Sequence, residues 1–164
     1  MNKIPLTQGY EALVDDFDYQ FLQKYKWHVV FKRKHGKPYA QTTIHISGSG
    51  KSRVKMNIMM HKLLVNTKNH VDHIDGNTLN NQRFNLRSAT NTENHQNIGK
   101  FNRSTTSKYK GVSKRKNSKL WRATIKVQGK QLELGFFASE LDAAKAYNNA
   151  AIKYFMSFAK LNDL

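Results

Sequence analysis

The feature that most constrains the fold is an aperiodic basic stretch at residues 97–107. Its sequence, NIGKFNRSTTS, has no hydrophobic periodicity and is made largely of Gly, Ser, Thr and basic residues. Such a composition is typical of a linker, because it offers no apolar face to bury. Within 164 residues it leaves two parts, each large enough for only a modest core. The sequence therefore predicts two small modules, residues 1–97 and 108–164, joined by a basic linker over residues 98–107.

The part before the linker alternates short helix and strand patterns. Apolar side chains at helical spacing predict a helix over residues 17–24, and aromatic and β-branched residues predict strands over residues 27–31 and 39–46. A further strand is expected over residues 53–58, followed by a buried helix over residues 59–65. We interpret these elements as a small α+β layer that supports the next stretch.

Charge indicates the partner. The chain has 28 Lys and Arg residues against 11 Asp and Glu, a net charge of +17. No acidic residue occurs between Asp18 and Asp72 or between Glu93 and Glu133. A uniformly basic solvated protein is the alternative, but self-repulsion disfavours excess charge without a use, so nucleic acid is the expected partner.

The absence of cysteine excludes disulfides, thiolate nucleophiles and zinc sites that need sulfur. No stretch approaches the roughly 20 apolar residues that span a bilayer, and the N-terminus, MNKIPLTQGY, has no signal-type apolar region. We therefore expect a soluble intracellular protein, such as one of a phage or bacterial cytoplasm, with no membrane partner.

Residues 71–97, VDHIDGNTLNNQRFNLRSATNTENHQN, concentrate Asp, Asn and His. Asp72 and His73 are adjacent at the end of an apolar strand, Asn85 comes ahead of a second apolar run, and Asn94 lies one turn inside a helix with a Thr-x-x-Glu capping box. An Asp and an Asn so placed can converge on one hard cation, while the neighbouring His accepts a proton from water. The order of residues suits metal-assisted hydrolysis.

A structural interpretation of the same stretch is an Asn-rich connection in which polar side chains cap turns and helix ends. It explains Asp75 and several Asn, but it explains less well the adjacency of Asp72 and His73. The residues alone leave both interpretations open. His61, in an apolar run, is better explained as a hydrogen-bonded core residue, and His95 points about 100° away from its neighbour on the helix. Neither is assigned to the metal.

The part after the linker predicts strands over residues 109–116, 120–128 and 131–137 and a closing helix capped by Ser139. In the middle strand, alternation places Arg122, Thr124 and Lys126 on one face and apolar side chains on the other. A ribbon of this kind can enter the major groove of DNA, where Arg and Lys reach phosphates and guanine edges.

The motifs VDHIDGN, NLRSAT and ENHQN resemble the HNH motif of phage and intron-encoded homing endonucleases, whose ββα-metal fold holds one divalent cation. With the N-terminal segment IPLTQGYEALVDDFDYQFL, the resemblance covers about the first two-thirds of the chain. Residues 109–155, with YKGV, WRATI, LGFF and AAKAYNNAA, are similar to an AP2 DNA-binding domain. The resemblance implies an α+β protein: a ββα-metal nuclease domain, then a three-stranded antiparallel sheet with one helix.

The resemblance also implies roles for single residues. Asp72 and Asn94 would be the metal ligands, His73 the general base, and Asn85 the residue that orients the His73 ring. Asp72 and Asn94 depart from the histidine-first, histidine-last form of the motif, and their oxygen donors favour Mg²⁺ or Mn²⁺ over Zn²⁺.

In the AP2-like part, positions that are arginine in typical plant members are Lys110, Ser113, Arg115 and Lys126, which predicts altered base readout with phosphate binding retained. The candidate DNA-binding residues are Lys110, Arg115, Arg122 and Lys126. The sequence thus predicts a metal-dependent endonuclease of double-stranded DNA, of homing or nicking type. The alternative is a non-catalytic DNA-binding regulator that keeps the nuclease fold as a scaffold.

Overall fold

A computed structural model describes residues 1–32, 36–48, 54–99 and 106–164 of the chain. Two compact units are present, Met1–Thr90 and Asn91–Leu164. Small antiparallel sheets and few helices make up both units, in agreement with an α+β fold. Most of the predicted linker, residues 100–105, lies outside the described residues, and so does Arg53 at the start of a predicted strand.

The first unit contains three small sheets and two short helices in the part that is described. Its elements are β1 (Asn2–Pro5), β2 (Glu11–Val14), α1 (Asp16–Leu22), β3 (His28–Phe31), β4 (Pro38–Ser47), β5 (Val54–Met59), α2 (Met60–Leu64), β6 (His70–His73) and β7 (Leu86–Ala89). Strands β3, β4 and β5 pair in that order and lie close to the strand positions predicted from the sequence. The hairpin of β1 and β2 has no counterpart among those predictions.

The core of the first unit forms where α1 and α2 cover the strands. Leu22 and Met60 are fully buried there, and the indole of Trp27 donates to the Leu22 carbonyl oxygen at 2.8 Å. Helix α1 is also tied to the chain ahead of β7. The Arg83 guanidinium donates to both carboxylate oxygens of Asp18, at 2.7 and 2.8 Å, and Asp18 is only 3% exposed. This bidentate pair anchors the segment that enters β7.

The second unit consists of α3 (Asn91–Gln96), β8 (Val112–Lys114), β9 (Trp121–Val127), β10 (Lys130–Phe137) and α4 (Glu140–Phe155). Its sheet has the order β10-β9-β8, and α4 packs on one face. The predicted cap is confirmed, because the Ser139 hydroxyl accepts from two backbone N–H groups of the first turn of α4. The predicted alternation is confirmed too: Ala123 and Ile125 are buried, whereas Lys126 is exposed.

Across the described ranges, no helix combines the length and apolarity that a membrane crossing requires.

Candidate active site

The candidate site lies on the paired strands β6 and β7. They pair antiparallel with Asp72 opposite Arg87 and His73 opposite Leu86. Across this pair, the Arg87 guanidinium donates twice to Oδ2 of Asp72, at 2.9 Å from Nε and 2.7 Å from Nη2. Both side chains are largely buried: that of Asp72 is 7% exposed and that of Arg87 is 15% exposed. The carboxylate is therefore held in one orientation at the end of a strand.

A loop closed by amides follows His73 directly. Gly76, at φ 77°, makes the turn, and its N–H donates to the His73 carbonyl oxygen at 2.9 Å. Asn85 closes the other end: its Nδ2 donates to Asp75 Oδ1 at 2.9 Å and to the Asn80 carbonyl oxygen at 2.8 Å. Its Oδ1 accepts from the Asp75 N–H at 3.0 Å. Asn85, which is only 2% exposed, fixes both ends of this loop.

The Asp75 carboxylate lies at the centre of the loop. Burial acts to raise its pKa, but donors on Asn80, Asn85 and the Asn77 backbone outweigh this effect and leave the pKa lowered. Asp75 therefore stays ionised and keeps the loop closed. The structural interpretation of this stretch, in which polar residues stabilise turns, holds for these side chains.

The His73 ring is buried, with 4% of the residue exposed. Its Nε2 lies 3.4 Å from Oδ1 of Asn81, a residue that the sequence did not single out. Among the described residues, the Asn85 amide bonds the loop and not the ring, so any influence of Asn85 on His73 passes through the loop. Burial lowers the pKa of His73, although Asn81, Asp75 and Asp72 act in the opposite direction.

Two further rings surround His73. The His61 ring stands edge-on to it at 5.1 Å between centroids, and Tyr39 lies 6.2 Å from His73 and 5.7 Å from His61. His61 is buried, as expected for a core residue, but its ring has no hydrogen-bond partner among the described residues. Burial, followed by the charges of His73 and nearby lysines, lowers the pKa of His61 to about 3. Burial and then the Asp72 carboxylate raise the pKa of Tyr39.

These neighbours of His73 could hardly be predicted from sequence patterns. Tyr39 and His61 come from β4 and α2, and only the packing of those elements brings them to His73. Arg87 could have been found by assuming that the two apolar strands pair, because the register then sets it opposite Asp72. Asn81 lies in an Asn-rich run in which several amides are equivalent by sequence.

The second predicted metal ligand, Asn94, is half-buried on α3, in the second unit. Within the described ranges, no group of three or more His, Asp and Glu residues is arranged to hold a metal ion. Of the two predicted ligands, only Asp72 belongs to these residue types, and the second, Asn94, would contribute an amide oxygen. Carboxylate and amide oxygens are ligands that Mg²⁺ and Mn²⁺ accept. The donor chemistry fits a hard cation, and the Arg87 ion pair reduces the charge that Asp72 offers to it.

The candidate DNA-binding residues occupy different environments in the second unit. Arg115 and Lys126 are exposed, whereas Arg122 is partly exposed and donates to Glu133 at 2.6 Å. Lys110 is half-buried, and its Nζ donates to the carbonyl oxygens of Gln96 and Ile98 at 2.9 and 2.6 Å. Burial lowers the pKa of Lys110 to about 8, and the charge of a nearby lysine adds to the effect. Its surroundings are those of a structural cation.

Comparison with known proteins identifies the family. A protein of Acanthamoeba polyphaga mimivirus, named "Uncharacterized HNH endonuclease L560", is 30% identical over 161 residues, which are 96% of this chain and 77% of that protein. The chain belongs to the HNH endonuclease family. "Protein 3.8" of Escherichia phage T7 is 47% identical over 62 residues, 38% of this chain and 50% of that protein. No protein-family model matches the sequence.

Proposed function

We propose that this protein is a metal-dependent endonuclease that hydrolyses phosphodiester bonds of double-stranded DNA, as a homing-type or nicking enzyme. One observation carries the proposal: a buried imidazole, His73, beside the strand-end carboxylate of Asp72 in a strongly basic chain. Membership of the HNH endonuclease family supports it. The chain order of β6, β7 and α3 supports a ββα-metal nuclease domain within residues 1–97.

His73 is the proposed general base. Burial lowers its pKa, so the ring is neutral near pH 7 and can accept a proton. The Asn81 oxygen faces Nε2 at 3.4 Å, which favours the tautomer with the proton on Nε2 and the lone pair on Nδ1. Tyr39 and His61 restrict the ring to this orientation through their edge contacts.

Asn85 has a proposed role in positioning the catalytic residues. Its amide ties Asp75 to Asn80, and the loop between them begins at the His73 carbonyl group. A fixed loop holds the backbone of His73, and so the direction in which the ring points. In this role Asn85 would orient the His73 ring through the loop and the backbone, without a direct hydrogen bond to the ring.

Asp72 and Asn94 are the residues that would hold Mg²⁺ or Mn²⁺ through oxygen. When bound, a divalent cation supplies charge that stabilises the scissile phosphate and the leaving oxygen. Arg87 keeps Asp72 oriented, and its own charge partly offsets that of the carboxylate. This offset favours the alternative, a DNA-binding regulator with a nuclease scaffold.

The second unit is the proposed DNA-binding module. Its three-stranded sheet with one helix supports the AP2-like assignment of residues 108–164. Arg115, Arg122 and Lys126 are its proposed contacts with DNA, because they lie on exposed or partly exposed sites of β9 and the turn before it. Lys110 has a different environment, because its ammonium is bonded to the Gln96 and Ile98 carbonyl oxygens.

A nicking assay tests the function. Supercoiled plasmid should be relaxed by the wild type with Mg²⁺ or Mn²⁺ and should stay intact with excess chelator. His73→Ala should lower the rate by about 10²- to 10⁴-fold, the range of a general base, with DNA affinity unchanged. The matched control is His70→Ala, an exposed histidine of the same strand, which should cut like the wild type.

Three outcomes would count against the proposal. Cleavage in excess chelator would rule out the metal mechanism, and wild-type rates for His73→Ala would remove the proposed base. Binding without cleavage under all metal conditions would favour the regulator. Asp72→Ala and Asn94→Ala test the ligands, since each should raise the metal concentration needed for half-maximal cleavage.

A further inference from the structure

The Lys110 ammonium meets the carboxyl end of α3. Its Nζ donates to the backbone oxygens of Gln96, the last residue of α3, and of Ile98. The last carbonyl groups of a helix have no partner within the helix and carry partial negative charge. A cation at that position satisfies them and is favoured by the helix dipole. The contact is therefore a C-terminal cap supplied from a distant part of the chain.

Lys110 is itself fixed to the rest of the second unit. Its backbone N–H donates to Asn162 Oδ1 at 2.6 Å, and its carbonyl oxygen accepts from Asn162 Nδ2 at 3.1 Å. Asn162 is held in turn by Asn148 of α4 through two hydrogen bonds of 2.7 and 3.0 Å. The Nζ atom also lies 6.0 Å from the centroid of the Tyr147 ring. One end of Lys110 is thus tied to α4 and the other to α3.

Helix α3 is short and packs against the turn Met156–Phe158. It is six residues long, and none of those six residues is buried. Part of it, at Thr92, His95 and Gln96, lines a cavity of about 490 Å³ together with Lys110 and Lys126, so its packing is incomplete. Short helices gain most of their stability from tertiary packing. The two charge-assisted bonds from Lys110 add to the contacts that fix this helix.

We propose that Lys110 is a positioning residue that fastens the carboxyl end of α3 to the body formed by β8, β9, β10 and α4, and thereby sets the backbone that carries Asn94. The consequence for Asn94 rests on the proposed function, in which this residue binds the metal. The fastening itself is independent of that function. The proposal also removes Lys110 from the residues that bind DNA.

Phosphate binding by Lys110 would compete with these contacts. Turning the ammonium toward DNA would break its bonds to the Gln96 and Ile98 oxygens and leave both carbonyl groups without this donor. Lys126 lines the same cavity but is exposed on β9, so it can reach a phosphate at no such cost. The two lysines form a matched pair for an experiment.

The first test compares Lys110→Met with Lys126→Met in the full-length protein. Hydrogen exchange followed by mass spectrometry reports on the amides of Asn97 and Ile98, which bond back to Glu93 and His95. Lys110→Met should speed their exchange by at least about tenfold, and Lys126→Met should not. Unchanged exchange in Lys110→Met would overturn the proposal, and this readout needs no cleavage.

The same variants separate positioning from general stability. At saturating plasmid, Lys110→Met should raise the Mn²⁺ concentration for half-maximal cleavage by about tenfold, as expected when a ligand-bearing helix loosens. Simple loss of folded protein would lower the amount of product without moving that concentration. Faster exchange with an unmoved metal requirement would overturn the link to Asn94. A wild type that never cuts would refute the proposed function and leave the exchange result standing.

A second measurement uses the unmodified protein, so it does not depend on how the variants fold. Reductive methylation reacts with neutral amines, and the lowered pKa of Lys110 favours labelling whereas its two hydrogen bonds oppose it, so each lysine is compared only with itself, with and without DNA. A random-sequence duplex should then protect Lys126 and leave the rate at Lys110 unchanged. Protection of Lys110 by DNA that equals or exceeds the protection of Lys126 would overturn the proposal. Protection of neither lysine would count against Lys126 as a DNA contact and would still support the removal of Lys110 from the residues that bind DNA.

Discussion

Acid should destabilise the first unit through His61. The ring is buried against Tyr39 and His73 and has no hydrogen-bond partner in the part of the chain that is described. Its pKa is lowered from 6.5 to about 3, because burial disfavours the charged form most and the charges of His73 and nearby lysines add to the effect. Above pH 6.5 the ring is neutral in the folded and unfolded states, and His61 then has no effect on the pH dependence of stability.

The loss on acidification follows from proton linkage. As the pH falls below 6.5, His61 becomes protonated in the unfolded chain, whereas in the folded chain it stays neutral until about pH 3. Each pH unit in this window lowers the free energy of unfolding by about 1.36 kcal/mol. The expected loss is therefore about 2 kcal/mol at pH 5, with a ceiling of about 5 kcal/mol near pH 3.

The assay is urea unfolding at several pH values, with His61→Phe as the comparison. Phenylalanine keeps an aromatic edge toward Tyr39 and His73, loses no hydrogen bond to a described residue, and cannot bind a proton. In a Trp121→Phe background, the fluorescence of Trp27 reports on the first unit alone. The parent should lose about 2 kcal/mol more than His61→Phe between pH 7.5 and pH 5. Parallel pH dependences, within about 0.5 kcal/mol, would refute the reasoning.

Two further predictions concern the second unit. Lys126→Gln should flatten the slope of log K against log salt for DNA binding by about 0.9. Arg122→Gln should flatten it by less, because the Arg122 guanidinium is already paired with Glu133. Equal slopes for both variants and the wild type would contradict this prediction. Gly111→Ala should lower the free energy of unfolding of the second unit by at least about 1–3 kcal/mol. Gly111 has φ +76°, and an alanine Cβ there would lie 2.1 Å from a ring carbon of Tyr147 on α4. Gly129→Ala, at φ +81° with no atom within 4 Å of its Cβ, is the control and should cost less in thermal unfolding.

Local patterns in the sequence determined the elements of the fold. The alternation in β9 and the Ser139 cap of α4 depend on side chains within a few residues of each other, so the chain specifies them directly. The strands β3 and β4 followed from runs of aromatic and β-branched residues for the same reason. The adjacency of Asp72 and His73 was also visible, because it needs only one strand, and family membership rests on similarity along the chain.

Tertiary structure alone decided the surroundings of those residues. The edge contacts of His61 and Tyr39 with His73 arise from the packing of α2 and β4, and burial then sets the pKa of His73. Lys110 looked like a surface cation by composition, yet its ammonium caps α3 because Asn162 and α4 fix its backbone. The sequence alone shows which side chains can carry a charge. Its partners and its exposure depend on elements brought together from distant positions, and those cannot be deduced from neighbours in the chain.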